Sequence, residues 1–290
     1  MNIIVTGGAG FIGTNLIKRL LKDGHDVTSI DNYSTGLESN QQKGCFYMTH
    51  DIRVFDDYDL IKPDIIFHMA AIARIQPSFK DPLSYFETNA TGTLKIAKYC
   101  ADNNVPLIYA GSSSHHSGKF KNPYTFSKDI GEEITQLFNY QFGLKSSIAR
   151  FYNVYGPHQL KEGGYTTLIG RWINNIENGN ECEIYGDGTK RRDFTHVYDI
   201  ANANYLAMNS SKVGNGEVIN IGNSDNRSVN EIANLIGGPI THVEPVIEPR
   251  ETLADNTKAK DLLGWSPTIN IEDWVPKYKK DLGIKWTKPF

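Results

Sequence analysis

Cysteine is scarce: Cys45, Cys100 and Cys182 are the only three in 290 residues, and they are far apart. That excludes a disulfide framework and fits reduced thiols in a cytosolic protein. No apolar run approaches the roughly twenty residues that cross a bilayer, so no membrane span is expected. The chain enters an apolar stretch at once, Met1-Asn-Ile-Ile-Val-Thr6, without the basic region of a signal peptide. Neither charge is in excess, with 30 Lys and Arg against 33 Asp and Glu and a net charge of −3. A nucleic-acid partner is therefore not expected, a local patch at Lys190-Arg191-Arg192 apart. Internal repeats and low-complexity segments are missing. So is a His, Cys and Asp set at ligand spacing: His115 and His116 are adjacent and point in different directions, so no metal is expected. What remains is a composition of 39% hydrophobic and 22% charged residues, ordinary for a soluble globular protein with a large core.

The first half alternates apolar strands with helical patterns, which predicts an α/β fold. Asn2–Thr6 reads as a buried strand followed by Gly7-Gly-Ala-Gly10-Phe11-Ile12-Gly13. Phe11, Ile12, Leu16, Ile17, Leu20 and Leu21 then recur at helical spacing. Glycines there permit a tight turn, and the helix N-terminus offers free N–H groups to a pyrophosphate. The next strand ends at Asp31, 18 residues after Gly13. An acid there accepts both hydroxyls of an adenosine ribose and repels a 2′-phosphate, so the expected cofactor is NAD rather than NADP. The polar turn Asn32-Tyr-Ser34-Thr35-Gly36 lies beside that ribose, and Asp51-Ile52 follows a short strand, Cys45–Met48. Ile65–Met69 runs into the small residues Ala70-Ala71, with His68 read as a packed histidine. Asp81–Asn103 reads as one long helix, in which Asn89 is either solvated or hydrogen-bonded into the cofactor cleft.

The stretch Gly111–Lys128 carries the chemistry. A strand, Val105–Ala110, runs into Ser112-Ser113-Ser114, and a helix opens at Asn122-Pro123, a cap residue and a proline in the first turn. Tyr124 and Lys128 are four apart and share a face. A neighbouring ammonium is expected to lower the phenol's pKa, so that Tyr124 moves protons near neutral pH while a serine bonds the same substrate oxygen. Such a site suits an alcohol–ketone conversion. Tyr58 and Lys62 repeat the spacing, but Pro63 ends any helix there and no serine-tipped strand precedes it, so they read as surface. Further on, Tyr124–Phe142, Ile200–Met208, Val229–Ile236 and Thr257–Leu263 read as helices. Ser146–Phe151, Cys182–Gly188 and Glu217–Ile221 read as strands or turns, and the residues after Leu263 as a tail. Arg192, between a glycine turn and an apolar strand, suits a diphosphate.

Together these residues resemble the extended short-chain dehydrogenase/reductase family, and within it the nucleotide-sugar 4-epimerases of the UDP-galactose and UDP-N-acetylglucosamine type. The resemblance rests on Thr6–Gly13, Asp31-Asn32, Asp51-Ile52, His68–Ala71, Asn89-x-x-Gly92-Thr93, Ser112–Ser114, Tyr124-x-x-x-Lys128, Arg150–Pro157, Gly186-Asp-Gly188, Arg192-Asp-Phe194 and Ala254-Asp255 with Leu263-Gly-Trp265. It implies a doubly wound parallel (Rossmann) sheet with a smaller C-terminal substrate-binding lobe. Residues 1–155, with later returns near 187–222, would bind NAD, and 156–290 would mostly bind the nucleotide sugar. Gly7, Gly10, Phe11 and Ile12 would hold the pyrophosphate, and Asp31 and Asn32 the ribose with Ser34, Thr35 and Gly36 beside it. Asp51 and Ile52 would meet the adenine, while Ala70, Ala71, Asn89 and Ser112 line the cofactor cleft. Tyr124 would be the acid/base, Lys128 would tune it and bind the nicotinamide ribose, and Ser113 would bond the sugar hydroxyl. Asn153, Thr167, Tyr185 and Arg192 would hold the nucleoside diphosphate.

The implied reaction is epimerisation at C4 by transient oxidation through a 4-keto sugar. Related dehydratases and decarboxylases place an acid within a residue or two of the catalytic Ser/Thr, whereas Ser114, His115 and His116 follow Ser113 here. Another reaction on the same scaffold, or a silent NAD-binding regulatory module, is the alternative, although the module reading sits poorly with Ser113, Tyr124 and Lys128 all being present. Three features depart from the pattern. The link from Ser113 to Tyr124 is 11 residues, shorter than the family's, and His116-Ser117-Gly118 replaces the usual Val-Tyr-Gly. The Arg-Pro-Gly-Asp phosphate clamp is missing, with Arg250 at a shifted position in its stead. Thr252, a small residue, implies room for an N-acetyl group at C2. The resemblance also implies a homodimer through helices 81–103 and 124–142, with Ile130, Ile134, Leu137 and Phe138 as candidate contacts.

Overall fold

The computed structural model describes residues 1–55 and 61–283. Seven strands form the central sheet: β1 (Asn2–Thr6), β2 (Asp26–Asp31), β3 (Cys45–Thr49), β4 (Ile65–His68), β5 (Leu107–Ser112), β6 (Ser146–Phe151) and β7 (Asn215–Ile221). Their spatial order is β7-β6-β5-β4-β1-β2-β3, and every pairing is parallel. The order reverses between β1 and β4. A crevice opens there outside the carboxyl ends of the strands, the place where a doubly wound sheet binds ligands.

Burial on both faces follows from the alternation of side chains along each strand. In β1, Ile3 and Val5 join a core with Leu16, Ile17 and Leu20 of α1 (Phe11–Lys22). Ile4 faces the other way, into a core with Ile96 and Ala97 of α2 (Thr93–Asp102) and Phe138 of α3 (Pro123–Phe142). A third cluster lies away from the sheet, where Trp172 and Ile173 of α4 (Leu168–Glu177) pack with Phe194 and with Ile232 of a later helix, Val229–Ile236. No helix among the described residues is long and apolar enough to cross a membrane.

The structure departs from the sequence reading in several places. Strand β5 begins at Leu107, because Val105 N–H closes the end of α2 on the Cys100 carbonyl at 2.8 Å, and it extends to Ser112, paired with Phe151. The stretch 81–103 is helical, but Glu87–Gly92 is wound as a π segment between two α segments. The supposed tail contains a helix, Ile271–Asp281, despite Pro276 inside it. Burial of Ile271 and Val275 and stacking of Trp274 on Tyr278 (4.4 Å) offset the proline. Of the candidate dimer contacts, Phe138 is buried in the core and Ile134 packs against it, while Leu137 is 51% exposed. Lys62 is exposed, and Tyr58 lies outside the described residues.

Candidate active site

One cleft of roughly 630 Å³ runs from the turn between β1 and α1 past the end of β5 to α4 and the third cluster. At its first end the chain is shaped for a pyrophosphate. Gly7 has φ +70°, and a Cβ on it would lie 2.8 Å from the Ala70 backbone. A Cβ on Gly13 would lie 2.1 Å from the Gly7 carbonyl, so the turn can seat α1 this closely only with glycine. No side chain caps α1 and its first turn has no acid, which leaves the amides of Phe11 and Ile12 turned to the cleft.

Asp31 is held at the end of β2 by the amides of Ala9 (2.9 Å) and Tyr33 (2.8 Å), with its pKa raised by burial. Gly7, Gly10, Phe11, Ile12, Asp31, Asn32, Ser34, Thr35, Ile52, Ala70, Ala71 and Ser112 all line the cleft. Three of the cofactor candidates do not. Gly36 backs Asp31, where a Cβ would come within 2.9 Å of the carboxylate. Asp51 is gripped by Arg53 (2.7 Å) and by Asn32 (3.0 Å), and that ion pair pulls its pKa down to about 2. Asn89, in the π segment, spends its amide on both backbone groups of Ile72 (2.9 Å each) and on Ser127 (3.0 Å). It braces the loop after β4 from behind. His68 is packed between Thr6 and Thr93, at 2.7 and 3.0 Å. Thr93 gives its proton to the Asn89 carbonyl, so it accepts from His68 Nε2–H, and burial pushes the histidine down to about 3.

Midway along the cleft, β5 and α3 meet. Asn122 caps α3 by accepting from Thr125 N–H at 2.8 Å, with Pro123 next, which fixes the first turn that carries Tyr124. Tyr124 donates to Ser112 Oγ at 3.1 Å, and Ser112 in turn donates to Ser114 Oγ at 2.9 Å. Ser113 lines the cleft and its hydroxyl makes no hydrogen bond among the described residues, so it is open to a ligand. Lys128 also lines the cleft, with its ammonium 4.2 Å above the centre of the Tyr109 ring.

The expected tuning of Tyr124 is reversed. Burial raises the phenol's pKa, and the downward pull comes first from the Ser112 hydrogen bond and then from the Arg74 guanidinium. Lys128 is itself desolvated, which pushes it down to about 7. Behind the pair, Glu132 is fixed by Arg150 at 2.6 Å. His115, Asp129 and Glu132 bring ligand-type atoms within 4.8 Å of one another, but Arg150 already neutralises the Glu132 carboxylate.

Asn153, Thr167, Tyr185 and Arg192 line the far end. Asn153, at φ +23°, donates to the Asp193 carbonyl (2.9 Å) and to Thr252 Oγ1 (3.0 Å). Thr252 is thus small but bound, and it lines the cleft. Thr167 caps α4 through Gly170 N–H at 2.9 Å. Arg192 is buried and paired with Glu248 at 2.8 Å. The side chain of Arg250 is exposed and outside the cleft; only its backbone contributes, its carbonyl accepting from Arg191 N–H at 3.0 Å. A shifted arginine therefore does not replace the missing phosphate clamp.

Sequence reasoning missed Arg74, Arg171 and Glu248. All three line the cleft. Arg171 approaches Tyr185, with its guanidinium carbon 5.3 Å from the ring centre. Each reads as a solvated charge in the linear chain. For Arg74 the available signal was its place six residues beyond His68, in the loop that a doubly wound sheet turns toward its ligand.

Several known proteins share this arrangement. A solved UDP-glucose 4-epimerase from Thermotoga maritima, with UDP-glucose, is 30% identical, has a TM-score of 0.87 and is covered over 100% of its length by 97% of this chain. The UDP-glucuronic acid 4-epimerase of Bacillus cereus, with UDP-glucuronic acid and NAD, is 29% identical with a TM-score of 0.88 and the same coverage of 97% and 100%. A UDP-N-acetyl-alpha-D-glucosaminuronate decarboxylase from Bacillus cytotoxicus is 30% identical over 93% of this chain and 94% of its own. The family model for NAD dependent epimerases and dehydratases matches residues 3–222, and the chain belongs to that family.

Proposed function

We propose that the protein is an NAD-dependent 4-epimerase of a nucleotide-diphosphate sugar. The observation that carries this is the position of Tyr124, hydrogen-bonded to Ser112 at 3.1 Å, midway along one cleft with a dinucleotide cradle at one end and arginines at the other. NAD, when bound, supplies hydride acceptance and return. Gly7, Gly10, Phe11 and Ile12 would seat its pyrophosphate, Asp31 its adenosine ribose, and Lys128 its nicotinamide ribose. Tyr124 takes the proton of the C4 hydroxyl and returns it, while Ser113 bonds the same oxygen. Arg192, with Tyr185 and Asn153, anchors the diphosphate, so the oxidised sugar turns over without leaving. Holding both partners in one cleft removes the entropy of a second encounter.

A decarboxylase reading draws on the Bacillus cytotoxicus relative. Against it, the acids lining the cleft are Asp31 at the adenosine end, Glu183, and Glu248 on Arg192, and none lies within a residue or two of Ser113 in the chain. In the epimerase reading the third hydrophobic cluster, from about residue 156 onward, is the sugar-nucleotide lobe. The exposed Leu83, Leu94 and Leu137 serve a homodimer contact, and the protein works in the cytoplasm.

The test is incubation with NAD and UDP-glucose, UDP-N-acetylglucosamine or UDP-glucuronate, with products read by proton NMR. A C4 epimer without net NADH supports the reading, whereas carbon dioxide or a released 4-keto sugar refutes it. Tyr124→Phe is expected to abolish turnover while NAD still binds; unchanged turnover would remove Tyr124 from its role.

A further inference from the structure

Of the four Lys and Arg side chains that line the cleft, Arg192 is paired with Glu248, and Arg74, Lys128 and Arg171 have no ion pair among the described residues. Lys128 lies over the Tyr109 ring and Arg171 over the Tyr185 ring, whereas Arg74 has neither an anion nor a ring beneath it among the described residues. Arg74 gives its Nε–H to the Tyr165 carbonyl at 3.1 Å, and no carboxylate among the described residues lies within ion-pair distance of it. The guanidinium lines the cleft, so its two remaining nitrogens have donors to offer a ligand.

The chain accepts strain to place it. Arg74 has φ +86° and ψ 138°, a backbone conformation that side-chain-bearing residues rarely adopt. The conformation is pinned by Tyr85, whose hydroxyl donates to the carbonyls of Ala73 (2.7 Å) and Arg74 (3.0 Å). The Tyr85 ring also packs edge-on against the Tyr124 ring, with centroids 6.1 Å apart. The aromatic that holds the arginine thus also buttresses the acid/base, and Arg74 is fixed at the reacting end of the sugar site. Arg171 stands over Tyr185 and Arg192 is paired with Glu248, at the other end.

We propose that Arg74 binds a carboxylate on the carbon next to the one Tyr124 acts upon, so that the substrate is a nucleotide-diphosphate hexuronate rather than a neutral hexose. This rests on the nucleotide-sugar reading of the cleft. On a pyranose oxidised at C4, the neighbouring C5 carries C6, the position at which a sugar is a uronate or an alcohol. A planar, fork-shaped cation matches a carboxylate through two parallel hydrogen bonds. A neutral hydroxymethyl group would leave the desolvated charge without a partner, which is unfavourable. An arginine that served only to stabilise the Tyr124 phenolate would treat acidic and neutral sugars alike.

The experiment measures the affinities of UDP-glucuronate and UDP-glucose for the NAD-loaded protein by calorimetry, in wild type, Arg74→Gly and Arg74→Lys. Glycine relieves the positive φ, so that variant is expected to fold. Wild type is expected to favour the uronate by about fifty-fold or more, on the order of a desolvated charge pair. Arg74→Gly should bring the ratio of the two affinities close to one, and Arg74→Lys should restore part of it. Equal affinities in wild type, or equal weakening of both ligands in Arg74→Gly, overturns the proposal. Turnover is followed separately by NMR. Uronate preference without a C4 epimer sinks the epimerase reading and keeps Arg74 in its role; an epimer without charge preference does the reverse. Binding of neither ligand sinks both.

Discussion

Replacing Lys128 with methionine in the cofactor-free protein is expected to raise its stability at pH 7 and to do much less at pH 9. Lys128 is buried, 4% exposed, with its ammonium 4.2 Å from the centre of the Tyr109 ring and an attraction from Glu132 that is outweighed by burial. Burial lowers its pKa from 10.5 to about 7. The unfolded chain therefore holds more protons than the native one between pH 7 and 10.5, and stability rises with pH across that window. At about 1.4 kcal/mol per pKa unit, the burden of the buried charge is about 4 kcal/mol at pH 7 and about 2 kcal/mol at pH 9. The Tyr109 face returns about 1 kcal/mol while the amine is charged, which trims the difference between the two pH values to about 1–2 kcal/mol. Methionine has a similar length and keeps the apolar contact with the ring. Urea unfolding of both proteins at both pH values gives four curves, and the double difference cancels every other titrating group. A variant less stable than wild type at pH 7, or one whose gain is the same at pH 9, refutes the reasoning.

The other expectations are simpler. Gly7→Ala meets both a positive φ and the Ala70 backbone at 2.8 Å, so it should cost about 2–4 kcal/mol in thermal unfolding and abolish NAD binding by fluorescence titration. Asp193 accepts from the amides of Asn223 (2.7 Å), Ser224 (3.0 Å) and Ala254 (2.9 Å), and Asp193→Ala should destabilise by about 3 kcal/mol in denaturant titration. Glu248→Gln removes the anion held by Arg192 and Lys190, so UDP should bind about three- to ten-fold tighter by calorimetry. Weaker binding in that variant would mean that Glu248 positions Arg192 for the ligand and does not compete with it.

Where information is local, the sequence reading and the structure agree. The glycine turn, the Asn122 cap and the strands β1 and β6 depend on neighbours within a few residues, and their alternating or helical periods survive folding unchanged. The π segment at Glu87–Gly92 does not show in the periodicity, because its six residues are too few to set a period of their own. Its cause is distant: Asn89 is drawn onto Ile72, 17 residues away in the chain. Helix Ile271–Asp281 was hidden for the same reason. Its apolar face is short, its proline reads as a stop, and its partners Ile232 and Ile236 lie some forty residues upstream.

Charges at the site were the least readable, because a side chain's charge state is set by what folding removes from around it. Tyr124 and Lys128 share a helix face, as their spacing implied, yet burial sets the direction of both shifts, raising the phenol and lowering the ammonium. Lys128 lies over Tyr109, a residue of β5. Arg74, six residues past the end of β4, acts on Tyr124 through a loop fold that no periodicity encodes, since a positive φ at an arginine has no sequence signal. The strain is nevertheless informative. A chain that could have had glycine at Arg74 keeps a charged side chain in a conformation suited to glycine, at about 1–3 kcal/mol, so the guanidinium must be worth more than that to something in the cleft. The protein offers it no carboxylate among the described residues, which places the missing partner on the ligand.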